Sequence, residues 1–191
     1  MATTKPKILE KPRLFTYDEA VRMTEAGIFN GERVELIEGV LIEMSPIGNA
    51  HNAYVDRLAQ TLILWLQGGA IVRVQGDVRL ALRTAPMPDI VVLRPRADFY
   101  INGGAGPEDV LLIIEVADSS LPYDLRQKAP LYAGHQIPDY WVMSVQRKVI
   151  TVHRDPGPDG YRQIFEVRGD QLLSPLAFSD LVLTPNQLFG K

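Results

Sequence analysis

The stretch Val110-Leu111-Leu112-Ile113-Ile114-Glu115-Val116-Ala117 decides the fold. Its first five residues are apolar without alternation, which is the pattern of a strand covered on both faces. Such a strand lies in the middle of a sheet, with helices on either side. At its end comes a carboxylate, Glu115, where the apolar run stops.

Working outward, further strands are predicted at Ile71 to Gln75, Asp77 to Leu82 and Asp89 to Leu93 before it. Tyr140 to Val145, Lys148 to His153 and Tyr161 to Val167 follow after it. Upstream, Thr16 precedes Glu19 by three residues, as in a capping box, and predicts a helix running to Ala26 with Gly27 as its stop. Two apolar-rich runs flank Glu38-Gly39 between Arg33 and Met44, which predicts a hairpin. Tyr54, Val55, Leu58, Leu62, Trp65 and Leu66 recur at helical spacing, so Asn49 to Leu66 reads as a long helix ended by Gly68-Gly69. A shorter helix fits Asp124 to Ala133, kinked or tightened by Pro130. Asp155-Pro156-Gly157-Pro158-Asp159-Gly160 is a turn cluster, and Thr184 to Phe189 can form a last helical turn. The order describes an α/β domain with a mixed central β-sheet flanked by helices.

The 191 residues fit one domain, with 46% hydrophobic and 23% charged residues typical of a globular protein. Residues 1–13 read as a flexible polar lead-in and 14–191 as the single folded domain. No signal peptide and no membrane span is expected, and a cytoplasmic location follows by default. Without cysteine, disulfides and thiolate metal sites are excluded. A net charge of −3 argues against coating DNA through bulk electrostatics. A local stripe of Arg73, Arg79, Arg83, Arg94 and Arg96 could still steer a phosphate backbone, although each can equally be a solvated strand-edge residue.

Two acids stand out by their neighbours. Asp89 follows Pro88 and opens the apolar run Ile90-Val91-Val92-Leu93, while Glu115 closes the most apolar strand. Desolvating an unpaired carboxylate costs several kcal/mol, about the penalty for any buried ion. A divalent cation shared by both would remove that cost, and capping a loop or pairing with an arginine would do so too. Lys128 lies one helix past Glu115, where a lysine can orient an attacking water and balance charge on a phosphate; the ordinary alternative is a solvated helix lysine. Tyr132 is one turn further on the same face, and Asp124 one turn earlier could pair with Lys128 structurally. His51 shares a face with Val55, Leu58 and Leu62, so it can be a packing residue or an accessory to the site. Glu35 is a further candidate carboxylate, or an edge-strand residue facing water. Gly103-Gly104-Ala105-Gly106 matches no phosphate loop, no G-x-S-x-G occurs, and the three histidines lack metal-ligand spacing.

Pro88-Asp89 followed by Glu115-Val116-Ala117 resembles the motif that names the PD-(D/E)xK nucleases. Further segments are similar to the bacterial Uma-type endonucleases: Glu35-Leu36-Ile37-Glu38-Gly39, Met44-Ser45-Pro46 with His51, Ile114 to Ser119, Lys128 with Leu131-Tyr132-Ala133, and Ile137 to Val142. The resemblance spans Phe15 to Phe189. It implies a restriction endonuclease-like core and a metal-dependent nuclease site, often in a homodimer. Asp89 and Glu115 take the place of the metal-binding acids, and Glu35 corresponds to an acid supplied from the N-terminal part of the fold. The motif lysine is missing, because Ala117 stands two residues after Glu115 and on the same face of the strand. In this superfamily the lysine can migrate to a neighbouring helix, and Lys128 fits that substitution.

The leading reading is therefore an endonuclease that hydrolyses phosphodiester bonds in nucleic acid, DNA above all, with Mg²⁺ or Mn²⁺ held by Asp89 and Glu115. The alternative is a catalytically inactive nuclease-fold module that binds nucleic acid or a protein partner. A small-molecule phosphoesterase would share the metal but need a closed pocket.

Overall fold

The computed structural model describes residues 11–44 and 48–190; most of the lead-in, together with Ser45 and Pro46, lies outside the described residues. The elements run α1 (Tyr17–Glu25), β1 (Val34–Ile37), β2 (Val40–Glu43), α2 (Asn49–Leu66), β3 (Ile71–Val74), β4 (Ile90–Leu93) and β5 (Val110–Ala117). A helical segment then follows in three parts: α3 (Leu121–Tyr123), a π-helical turn (Asp124–Lys128) and α4 (Ala129–Gly134). The chain closes with β6 (Asp139–Ser144), β7 (Val149–Gly157), β8 (Gly160–Arg168) and α5 (Pro185–Phe189).

β1 and β2 form a separate hairpin, and β3 to β8 form a six-stranded sheet in sequence order. Only the β5–β6 pair is parallel; its neighbours pair antiparallel, so the sheet is mixed as expected. β5 is an inner strand, buried at all eight positions. Its alternate side chains feed two cores. Leu112, Ile114 and Val116 pack with Leu58, Leu62 and Trp141 on the α2 side. Ile113 and Ala117 pack with Tyr132, Ala133 and Ile137 on the α4 side. Each large apolar side chain fully withdrawn from water in these layers contributes about 1.5–3 kcal/mol. Both sheet faces are thus covered, which is why the run from Val110 carries no polar alternation.

Several boundaries match the sequence reading for the reasons it gave. Thr16 and Glu19 form the reciprocal capping box. Glu38 and Gly39 turn the hairpin with φ of 50° and 84°, as a tight turn between right-twisted strands requires.

The predicted strand over Asp77 to Leu82 is not one. Val78 and Leu80 are buried, which is the alternation the sequence displayed. The backbone N–H groups of Val78, Arg79 and Leu80 donate instead to Pro86, Ala105 and Thr84 in turn, so no single partner strand forms a ladder. The helix predicted over Asp124 to Ala133 starts earlier, at Leu121, and its irregularity lies before Pro130. The Ala129 N–H reaches back five residues to the Asp124 carbonyl, widening the helix into the π turn. The turn cluster at Asp155 to Gly160 is shorter than expected, because Asp155, Pro156 and Gly157 continue β7.

Candidate active site

Asp89 immediately precedes β4, and Glu115 lies near the end of β5. Because Ile90 pairs with Ile114, the two acids fall side by side where the β4–β5 ladder ends. β5 continues beyond β4, and the Asp89 side chain takes over the missing partner: its Oδ2 accepts the Val116 N–H at 2.9 Å. In return the Asp89 N–H donates to Glu115 Oε2 at 3.3 Å. Both carboxylates are buried, at 7% and 4% exposure.

Lys128, in the π turn, donates to Glu115 Oε1 at 2.9 Å, and the Tyr132 hydroxyl donates to the same oxygen at 3.0 Å. Glu115 and Ala117 alternate onto the same face of β5, and Ala117 packs in one core with Tyr132 and Ala133. Glu35, from the hairpin, comes within 3.4 Å of Lys128 Nζ and accepts from the Tyr123 hydroxyl and the Met87 N–H. It is 3% exposed, so the water-facing reading of Glu35 falls. His51 belongs to the first turn of α2 and reaches round the end of the sheet, with Nε2 3.0 Å from Asp89 Oδ2. Asp124 does not pair with Lys128; it accepts from Ser120 Oγ at 2.6 Å.

Burial above all pushes the Glu115 carboxyl up to about 8; nearby Asp89 adds to this and Lys128 opposes it. Burial pushes the Lys128 ammonium down, but Glu115, Glu35 and Asp124 outweigh it and hold the group protonated. The buried cluster therefore has more carboxylate than one lysine can neutralise. These side chains open on a cleft of about 400 Å³, lined also by Arg33, Glu43, Asp118 and Tyr123.

The arginines from Arg73 to Arg96 do not line this cleft. Arg73 bonds the Asp77 carbonyl, Arg79 pairs with Asp18, and Arg96 pairs with Asp98 over the Tyr100 ring. They tie loops together elsewhere. The cleft's own arginine is Arg33, which the sequence reading missed, although it stands just before β1 and two residues from Glu35. Tyr123 was missed as well, and no pattern in the sequence marks it.

The donor set fits a hard divalent cation. Both acids offer oxygen, and Asp89 Oδ1 has no protein donor among the described residues. No cluster of three or more acidic or histidine ligands occurs among the described residues.

A mixed sheet carrying paired acids at adjoining strand ends, with a lysine beside them, defines the restriction endonuclease-like, PD-(D/E)xK class of fold. A model of the family Uma2, described as "Putative restriction endonuclease", matches residues 18–186, and the chain belongs to that family. Among solved structures it is similar to the crystal structure of "a putative nuclease belonging to DUF820" from Anabaena variabilis ATCC 29413. The two share 18% identity with a TM-score of 0.71, over 92% of this chain and 98% of that one. No curated protein matches. Among the described residues no helix is long and apolar enough to cross a membrane.

Proposed function

We propose that this chain is a metal-dependent endonuclease that hydrolyses phosphodiester bonds in nucleic acid, DNA first, and that it acts in the cytoplasm as a homodimer. The observation that carries this reading is the Lys128–Glu115 contact of 2.9 Å, which supports Lys128 in the role that the motif lysine would have had.

Asp89 and Glu115 would hold Mg²⁺ or Mn²⁺, which when bound polarises a phosphate oxygen and lowers the pKa of bound water. Within the protein, His51 fixes Asp89 through Oδ2, and Asp89 lines the cleft. Tyr132 and Lys128 fix Glu115 through Oε1. Lys128 has three donors, of which Glu115 and Glu35 engage two, leaving one to orient the attacking water or to meet charge on the phosphate. Glu35 holds the lysine in that pose.

A second reading has its own support. Each Glu115 oxygen already accepts from the protein, as a purely structural acid would. That favours an inactive module binding nucleic acid or a protein partner. Titration calorimetry of Mg²⁺ and Mn²⁺ into the wild type and the Asp89→Asn/Glu115→Gln variant separates the two. Binding in the wild type alone, with cleavage of plasmid or oligonucleotide lost in the variant, is the expected result. Absence of binding to both proteins, with and without DNA, would hand the case to the inactive module.

A further inference from the structure

Arg33 stands just before β1, and its carbonyl accepts the Met44 N–H at 2.8 Å, closing the open end of the hairpin. Side chains two apart on a strand share a face, so Arg33 follows Glu35 outward along one wall of the cleft. Glu35 has turned in to Lys128. Among the described residues Arg33 has no comparable partner. Its Nη2 donates only to the thioether of Met87, at 3.4 Å, and sulfur is a weak acceptor. Its Nη1 is buried and, among the described residues, bonds nothing.

This is unusual in two respects. The same cleft is lined by six carboxylates, yet among the described residues Arg33 forms an ion pair with none of them. Buried polar atoms are rarely left unsatisfied, and each such atom calls for a reason. Three side-chain atoms are so placed among the described residues, and two of them, Arg33 Nη1 and His51 Nδ1, belong to residues lining this one cleft. Arg33 as a residue is only part-buried and lines the cleft, so a small turn of its guanidinium brings the unspent donor to an anion that arrives from outside. The planar fork of arginine matches phosphate oxygens two at a time. A polyanion entering so acidic a cleft also needs positive charge on its wall, and the arginines between Arg73 and Arg96 lie elsewhere.

We propose that Arg33 grips a phosphate of the nucleic-acid strand drawn into the cleft, next to the one attacked at the Asp89–Glu115–Lys128 end. The inference rests on the nuclease reading and names the residue that positions its substrate. Arg33 binds and orients; it takes no part in bond breaking.

The test is binding of a short fluorescein-labelled DNA duplex, and of its single strand, at several salt concentrations. It uses wild type, Arg33→Gln and Arg33→Lys, in EDTA and with Ca²⁺ in place of Mg²⁺. Thermal melts establish that each variant is folded. Arg33→Gln should bind roughly tenfold more weakly, as for a lost charge-assisted hydrogen bond. Its plot of log K against log salt should flatten by about 0.7–0.9, the contribution of one phosphate contact. Arg33→Lys should keep the slope and regain part of the affinity, a result that a purely structural role would not give. Wild-type affinity and slope in Arg33→Gln would overturn the assignment while leaving the nuclease reading intact. A wild type that binds neither DNA in either buffer would remove both.

Discussion

Lys128 Nζ lies 2.9 Å from Glu115 Oε1 although thirteen residues separate them, and it does so from a π turn instead of from the strand that carries Glu115. The widened turn faces both Asp124 and Lys128 inward, and both are buried. Lys128→Ala should lower phosphodiester hydrolysis by about a hundredfold or more, the scale seen when one preorganised electrostatic donor is removed. Stripping a partner from a buried ion pair commonly costs about 3–5 kcal/mol. Here the loss should be smaller, because burial pushes the Glu115 carboxyl up, and removing Lys128, which opposes that rise, favours its taking a proton.

The migrated position can be tested by reversing it. Ala117 is fully buried, and alternation along β5 puts it on the same face as Glu115. Ala117→Lys combined with Lys128→Ala should recover part of the hydrolysis that Lys128→Ala loses. Equal inactivity of the single and double variants, with both folded, would mean that the helix supplies something that a strand lysine cannot.

Tyr132 offers a graded control. Its hydroxyl donates to the oxygen that Lys128 also serves, so Tyr132→Phe leaves no carboxylate oxygen stranded. The stability cost should stay near about 0.5–1.5 kcal/mol, the net value of one hydrogen bond. Activity should fall far less than in Lys128→Ala. Chemical denaturation and initial rates on one substrate read both quantities.

These contrasts indicate what the sequence could carry. The inner strand, the hairpin and α2 were legible because apolar period and turn chemistry agree with the tertiary environment at each residue. Asp89 and Glu115 were legible because carboxylates at the ends of apolar runs are costly without a partner. The π turn was not legible, since its cause is a hydrogen-bond choice at Asp124 and Ala129 that no residue preference announces; Pro130 signalled irregularity but not its place. Asp77 to Leu82 misled because alternating burial of Val78 and Leu80 looks the same whether the backbone is paired to one strand or to several loops. The arginine cluster misled for a different reason. Closeness in sequence says nothing about which side of the sheet a charge faces, and the arginine that does line the cleft precedes the hairpin.

His153 gives a pH dependence of stability with a definite sign. It is 3% exposed, its ring lies against Tyr140 and Tyr161 at centroid distances of 5.2 and 5.6 Å, and Nδ1 has no partner among the described residues. Burial foremost holds its pKa below the ordinary 6.5. As pH falls through about 6.5 the unfolded chain takes up a proton that the folded one refuses, so stability drops toward acid and is recovered above that value. His153→Phe should remove this component. Urea unfolding of both proteins at pH near 7.5 and near 5.5 checks it: the wild type should lose more stability between the two conditions than the variant, and an equal loss would refute the assignment.

The hairpin turn links stability to the site. Gly39 has φ of 84°, and a Cβ there would come within 2.7 Å of Leu14 Cβ and 3.2 Å of Leu14 Cα. Gly39 also bonds on both sides, its N–H to the Arg83 carbonyl at 2.7 Å and its carbonyl to the Phe15 N–H at 2.8 Å. The turn therefore cannot shift without pulling on two other segments. Gly39→Ala should destabilise by about 1–3 kcal/mol, the cost of a strained backbone position. It should also weaken hydrolysis, because β1 carries Glu35 to Lys128. Its neighbour Glu38 also lies at positive φ, 50°, where glycine is more at ease. Glu38→Gly should leave stability unchanged or slightly higher and hydrolysis intact. Thermal melts and cleavage rates of the pair decide the matter: comparable damage from both changes would mean that the hairpin is held by its side chains, and not by the geometry of its turn.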